Sequence, residues 1–253
     1  MPEDEKIPFT THLEELRRRL IICFCAVGVG FVISYVFSKR LFEVLMQPLL
    51  AAMPPDEKLI YTALPEAFFT YLKVALLTGL LLAVPVIIYQ VWMFVAPGLY
   101  DKEKRLVLPI VFISSFFFLG GALFGYFIVF PFGFKFFMGF ASDYVRPLPS
   151  MKEYLGFSAK LLFAFGAVFE LPVFVTFLAK LGIVNVQFLK TKRKYAILLF
   201  FVFSAILTPP DVVTQVMMAG PLILLYEVGI LGARLFGKKP EKPDANDTRE
   251  TAG

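Results

Sequence analysis

The chain has 253 residues, 58% of them hydrophobic and 18% charged, with a mean hydropathy of +0.74. So little charge cannot cover so much apolar surface in water, which excludes an ordinary soluble domain and points to an integral membrane protein. The formal net charge of +5 says less through its sum than through its distribution over loops, which makes no case for nucleic-acid binding.

The N-terminal stretch "TTHLEELRRRL" (Thr10–Leu20) places Thr11 and Glu14 at capping-box spacing, which predicts that a helix begins here. Leu13, Leu16 and Leu20 share one face, and Glu14, Glu15 and Arg17 to Arg19 cover the rest. His12 reads as a helix-start or packing residue. The apolar run that follows lacks a clear small-residue cleavage site, so it reads as a retained membrane helix. Its two cysteines, Cys23 and Cys25, point to different helical faces. With a single histidine in the chain, no metal, redox site or cofactor is expected.

Six apolar segments predict an all-α protein with six transmembrane helices, at about 20–37, 68–95, 106–130, 155–181, 195–207 and 212–231. Pro85 is expected to break the second and Pro131 to bound the third, with Pro97-Gly98 ending the second span. Between the first two spans, "KRLFEVLMQPLL" repeats its apolar residues at helical spacing and fits a helix on the membrane surface. Gly121-x-x-x-Gly125 in the third span suits close helix packing. The fifth and sixth helices are expected to be short. The fifth, with thirteen apolar residues, reaches only about 20 Å against a hydrocarbon core of about 30 Å.

With the N-terminus inside, Lys and Arg favour the inside segments by about two to one, so both termini are expected on the cytoplasmic side. Residues 1–235 then form one membrane domain, and 236–253 a polar cytoplasmic tail expected to be disordered.

Glu170 stands apart. It lies in "LLFAFGAVFELPVFVTFLAK", ten residues from Lys160 and ten from Lys180, each roughly 15 Å away along a helix. That puts a carboxylate near the bilayer midplane, where it must be neutral, paired or facing water. Trp92 and Tyr100 read as interfacial anchors, and Glu103 falls in a short cytoplasmic loop. Thr208, Asp211, Thr214 and Gln215 form a polar cluster at the outer hairpin, suited to capping the sixth helix or to docking another helix. No nucleotide-binding loop, H-E-x-x-H or G-x-S-x-G occurs, so no enzyme activity is expected. One reading of these residues is a proton-coupled small-solute transporter using Glu170; another is a receptor and scaffold for protein export.

The pieces "HLEELRRRL", "PVIIYQVWMFVAPGLYDKEKR", "FGAVFELPVF" and "LTPPDVVTQ…PLILLYE" together resemble the TatC family, the large subunit of the twin-arginine protein translocase. They run from about residue 10 to 235. The resemblance implies a curved six-helix wall with a concave face in the bacterial cytoplasmic (inner) membrane, surrounded by lipid. It implies that Glu15 and Glu103 receive the two arginines of a cargo signal peptide, that Arg17 belongs to the same surface, and that Glu170 lines the path of the peptide's apolar part. It further implies that Pro48, Thr208, Asp211 and Gln215 serve assembly with the single-span subunits TatA and TatB and with other TatC copies, and that the proton-motive force drives transport.

Overall fold

The computed structural model describes residues 9–54, 59–95, 107–140, 147–207 and 212–237. These are almost wholly helical: α1 (Phe9–Val36), α2 (Ser38–Leu50), α3 (Glu66–Val95), α4 (Val107–Phe124), a π-helical turn (Gly125–Val129), α5 (Phe130–Met138), α6 (Met151–Phe169), α7 (Leu171–Leu181), α8 (Val186–Leu207) and α9 (Val212–Phe236). Among them, five helical stretches are long and apolar enough to cross a membrane: His12–Val36, Glu66–Phe94, Leu108–Met138, Met151–Leu181 and Val212–Phe236.

Several boundaries differ from the sequence expectation, and proline accounts for most of them. Pro85 does not break the second span; α3 runs through it for 30 residues. Pro131 does not bound the third: its missing N–H costs one helical bond, and it follows directly on a π turn, in the first turn of α5. The helical run therefore continues to Met138 through a π turn. In lipid the backbone has no water to turn to, so a helix that loses one bond at proline still outcompetes an open loop. The capping-box expectation is also corrected: the helix is already formed at Phe9, so Thr11 lies inside it. The sixth helix is not short. α9 has 25 residues, because the apolar run extends past Leu231 to Phe236. α8 has 22 residues, but its first turns carry Lys190, Lys192, Arg193 and Lys194, which leaves the apolar part short as expected. Pro97-Gly98, Tyr100 and the tail from 238 lie outside the described residues.

The chain forms two compact units, residues 1–170 and 171–253. In the first, α1 and α3 are antiparallel and meet at Gly30 and Gly79. A Cβ on Gly30 would come within 2.5 Å of the Gly79 carbonyl oxygen, so only hydrogen allows this approach. Gly121 does the same for α4 against α6: a Cβ there would lie 2.4 Å from the Phe165 carbonyl oxygen. The helix expected from "KRLFEVLMQPLL" is α2, which buries Phe42, Leu45, Pro48 and Leu49.

In the second unit α9 packs on α7 and α8. α7 ends in a Schellman turn: Gly182 takes φ 80°, its N–H donates to the Ala179 carbonyl at 3.1 Å, and Ile183 N–H donates to Leu178 at 3.0 Å. Asn185 then caps α8 by accepting from Phe188 N–H at 2.7 Å.

Candidate functional site

The Gly30–Gly79 contact fixes the register of the polar site at the start of α1. Counting back eleven residues from Gly30 reaches Arg19; counting on eleven from Gly79 reaches Gln90. In an antiparallel pair these two positions face each other, and Arg19 Nη1 donates to Gln90 Oε1 at 3.2 Å. Glu15 is one helical turn before Arg19, on the same face. Arg19 Nε donates to Glu15 Oε1 at 3.0 Å, and Nη2 donates to the same oxygen. The Glu15 side chain keeps 30% exposure and that of Arg19 only 18%. His12 stacks on Phe94 at 4.3 Å, and its Nδ1 lies 4.0 Å from Glu15 Oε2.

Beside this network opens a cavity of about 650 Å³, lined by Glu14, Glu15, Arg18, Arg19, Ile22, Tyr89 and Gln90. Arg17 is not among its walls. It faces a neighbouring hollow of about 500 Å³ with Glu14, Arg18 and Ile21. The site therefore holds a carboxylate already in contact with a guanidinium, an amide oxygen placed to accept from a second edge of that group, and open space alongside. Glu103 lies outside the described residues.

Glu170 does not lie within a continuous helix. It is the residue at which α6 ends, at φ −69° and ψ −17°, before α7 begins at Leu171. Pro172 explains the break, since it cannot donate the next helical hydrogen bond. The Ser114 hydroxyl of α4 is set against the Glu170 carboxyl. Neither Glu170 Oε1 nor Ser114 Oγ is in hydrogen-bonding geometry with a protein group, and Ser115 and Ser158 hydroxyls are buried in the same condition. Ser114, with no accessible surface, was not singled out from sequence; small hydroxyl residues in an apolar run are the signal that would have pointed to it.

Pro48 is buried in α2. Lacking an N–H, it leaves the Val44 carbonyl without its helical donor, and the Tyr126 hydroxyl from the π turn donates to that oxygen at 2.6 Å. The Tyr154 hydroxyl of α6 donates to the next carbonyl, Leu45. Sequence reasoning missed both tyrosines.

It also missed Glu66. This side chain accepts from Thr62 N–H at 2.8 Å, Thr62 Oγ1 at 3.1 Å, Ala63 N–H at 3.3 Å and Lys152 N–H at 3.1 Å. It thereby joins the segment before α3 to the start of α6. A short parallel bridge between Ile60 and Ser150 runs alongside.

In the second unit, Gln215 Nε2 donates to the Phe201 carbonyl of α8 at 3.0 Å, which pins the start of α9. Thr208 and Asp211 lie outside the described residues, so the expected polar cluster is described only at Thr214 and Gln215. At the other end of the pair, Arg193 Nη2 donates to Glu227 Oε2 at 2.9 Å and the Tyr226 hydroxyl to the Leu189 carbonyl at 2.9 Å.

Comparison with known proteins decides what this architecture is. The family model for Sec-independent protein translocase protein (TatC) matches residues 11–221. The chain belongs to the TatC family. A TatC from Desulforapulum autotrophicum is 64% identical over 242 residues, covering 96% of this chain and 90% of that one. A TatC from Magnetococcus marinus is 48% identical over 250 residues, covering 98% and 92%. The crystal structure of a twin-arginine translocase receptor, TatC, superposes with a TM-score of 0.77 at 43% identity, covering 88% of this chain and 98% of that one. The same receptor crystallised in DDM gives 0.78 at 42% identity. TatC proteins are components of a protein translocase, and membership stands against the small-solute transporter alternative.

Proposed function

We propose that this chain is the signal-peptide receptor of a twin-arginine translocase in the bacterial cytoplasmic membrane. Both its termini are cytoplasmic: residues 1–235 form the membrane domain and 236–253 a cytoplasmic tail. The observation that carries this reading is the guanidinium of Arg19 held between Glu15 and Gln90, next to open space. A pocket that coordinates one guanidinium on two acceptors has the chemistry to receive another from a cargo peptide. Planar, charge-assisted bonds favour arginine over lysine there.

Glu15 takes one arginine of the cargo pair and Glu103 the other, with Arg17 shaping the adjoining surface. Glu170 faces the apolar part of the inserted peptide, where a single polar group in a greasy path fixes depth. Pro48, Thr208, Asp211 and Gln215 serve assembly with TatA, TatB and further TatC copies. Pro48 does so by holding α2 in place through the freed Val44 carbonyl. Transport draws on the proton-motive force.

The test is photo-crosslinking of a signal peptide to the full chain in membranes. Glu15→Ala or Glu103→Ala will weaken capture of an Arg-Arg peptide by roughly ten- to a hundredfold, the worth of one charge-assisted hydrogen-bonded pair. Capture of a Lys-Lys control will change far less. Equal losses for the two peptides, or no loss, would sink the assignment. The cellular counterpart is export of a folded twin-arginine reporter in a strain lacking its own TatC, supplied with native partners.

A further inference from the structure

The cavity beside α1 is not an empty acidic socket. Its principal carboxylate is already occupied by a group of the chemical type proposed as cargo. We propose that Arg19 is a resident competitor in the signal-peptide site: its guanidinium occupies Glu15 when cargo is absent and must yield for a cargo arginine to bind. The inference rests on the receptor reading above.

Three observations carry it. First, the guanidinium is held from two helices. Nε and Nη2 donate to Glu15 on its own helix, and Nη1 donates to Gln90, 71 residues away on α3. A lone i,i+4 surface pair has little hold on its partners, but a guanidinium with an interhelical acceptor has a defined parked position. Secondly, Gln90 is buried at 8% exposure, and the atom it presents to Arg19 is an acceptor, so the parking place suits a cation. Thirdly, the space a competitor needs is there: the cavity of about 650 Å³ adjoins Glu15, whose second oxygen is contacted by His12 only at 4.0 Å.

The consequence is a raised threshold. An incoming cation must take Glu15 from Arg19, and it meets the positive charges of Arg18 and Arg19 while doing so. That cost is the same for every cationic ligand. It lowers all affinities together and leaves their ratios unchanged. Weak ligands then fall below the level at which they are retained, whereas an arginine pair, with a second carboxylate to bind, stays above it.

Equilibrium binding of a fluorescent signal peptide to the full chain in nanodiscs tests this, with Arg-Arg and Lys-Lys versions. Arg19→Gln removes the charge and keeps a polar side chain. The expected result is tighter binding of both peptides, by roughly three- to tenfold, with the Arg-Arg to Lys-Lys ratio unchanged. Arg19→Lys restores a cation at the same place and will return affinity most of the way to the wild-type value. Gln90→Leu frees one edge of the resident guanidinium and will tighten binding by less than Arg19→Gln. If Arg19 instead positions Glu15 for cargo, Arg19→Gln will weaken Arg-Arg binding and shrink the ratio, which overturns the proposal while leaving the receptor reading standing. Unchanged affinity in Arg19→Gln overturns it too. Failure of the Arg-Arg peptide to bind either wild type or Arg19→Gln overturns the receptor reading, and the competitor with it.

Discussion

Gly79 sits where a side chain cannot. A Cβ there would meet the Phe31 backbone nitrogen at 2.5 Å and the Gly30 carbonyl carbon at 2.7 Å, both parts of a rigid helix. Gly79→Ala must push α1 away from α3. Overpacking of this kind costs about 1–3 kcal/mol and is measurable as a lower melting temperature in detergent. Because the same contact sets the register of Arg19 against Gln90, the variant will also loosen the resident guanidinium and, like Gln90→Leu, tighten Arg-Arg peptide binding modestly. Gly120→Ala is the control: nothing lies within 4 Å of its added Cβ, and alanine is the better helix former, so stability will hold or rise. Individual residues were legible from sequence where their oddity was local. Glu170 declared itself as a charge among apolar neighbours, and Gly121-x-x-x-Gly125 as a packing face. Gly79 carried no such signal, because one glycine in an apolar run looks alike whether it faces lipid or a neighbouring helix.

At the scale of the element, α2 shows how a proline can strengthen a tertiary contact. Pro48 removes a helical donor, and the Val44 carbonyl so freed receives the Tyr126 hydroxyl. Tyr126→Phe will cost about 1 kcal/mol, the usual net worth of such a bond. In a Pro48→Ala background the backbone N–H regained at that position competes for the same oxygen, and the cost of Tyr126→Phe will fall toward zero. A double-mutant cycle on thermal unfolding measures this coupling, and strict additivity would disprove it. Glu66 acts in a comparable way between elements. Glu66→Gln keeps the shape but loses the acceptor charge, so the amides of Thr62, Ala63 and Lys152 will exchange faster with deuterium while those of the buried α6 core stay protected. Five of the six expected spans coincide with helices long and apolar enough to cross a membrane, because lipid demands long apolar runs; the one expected at 195–207 does not. The ends of the spans were not readable, since Pro85 and Pro131 stop helices in water but are tolerated where no water waits for the freed carbonyl. Tyr126, Tyr154 and Glu66 could not be paired from sequence, because their partners lie 82, 109 and 86 residues away.

For the whole molecule, the question is how α8 meets the bilayer. The acidic and basic residues around Glu15 were legible as a cluster, while the part played by Gln90 depends on interhelical register that no local pattern records. α8 poses the converse case, where a local pattern sets a global constraint. Its charged turn ends at Lys194, and from Tyr195 to Ile206 the helix rises only about 17 Å, against a hydrocarbon thickness of about 30 Å. On the proposed topology, which puts these lysines at the inner surface, Ile206 ends far short of the normal outer surface. Ile206 is 72% exposed. The lipid must therefore thin locally, or a partner must cover this end. Purified protein in liposomes, with Cys23 and Cys25 replaced by serine, separates these outcomes. A cysteine at Ile206 will react with a membrane-impermeant maleimide added outside, in the subset of molecules oriented with the C-terminus within. A cysteine at Leu198, exposed at 64% but nearer the middle of the helix, will not. Adding the single-span partners will then slow labelling at Ile206. If Ile206 stays inert without partners, the bilayer keeps its thickness there, and the short helix has to reach the outer surface through the residues that follow it.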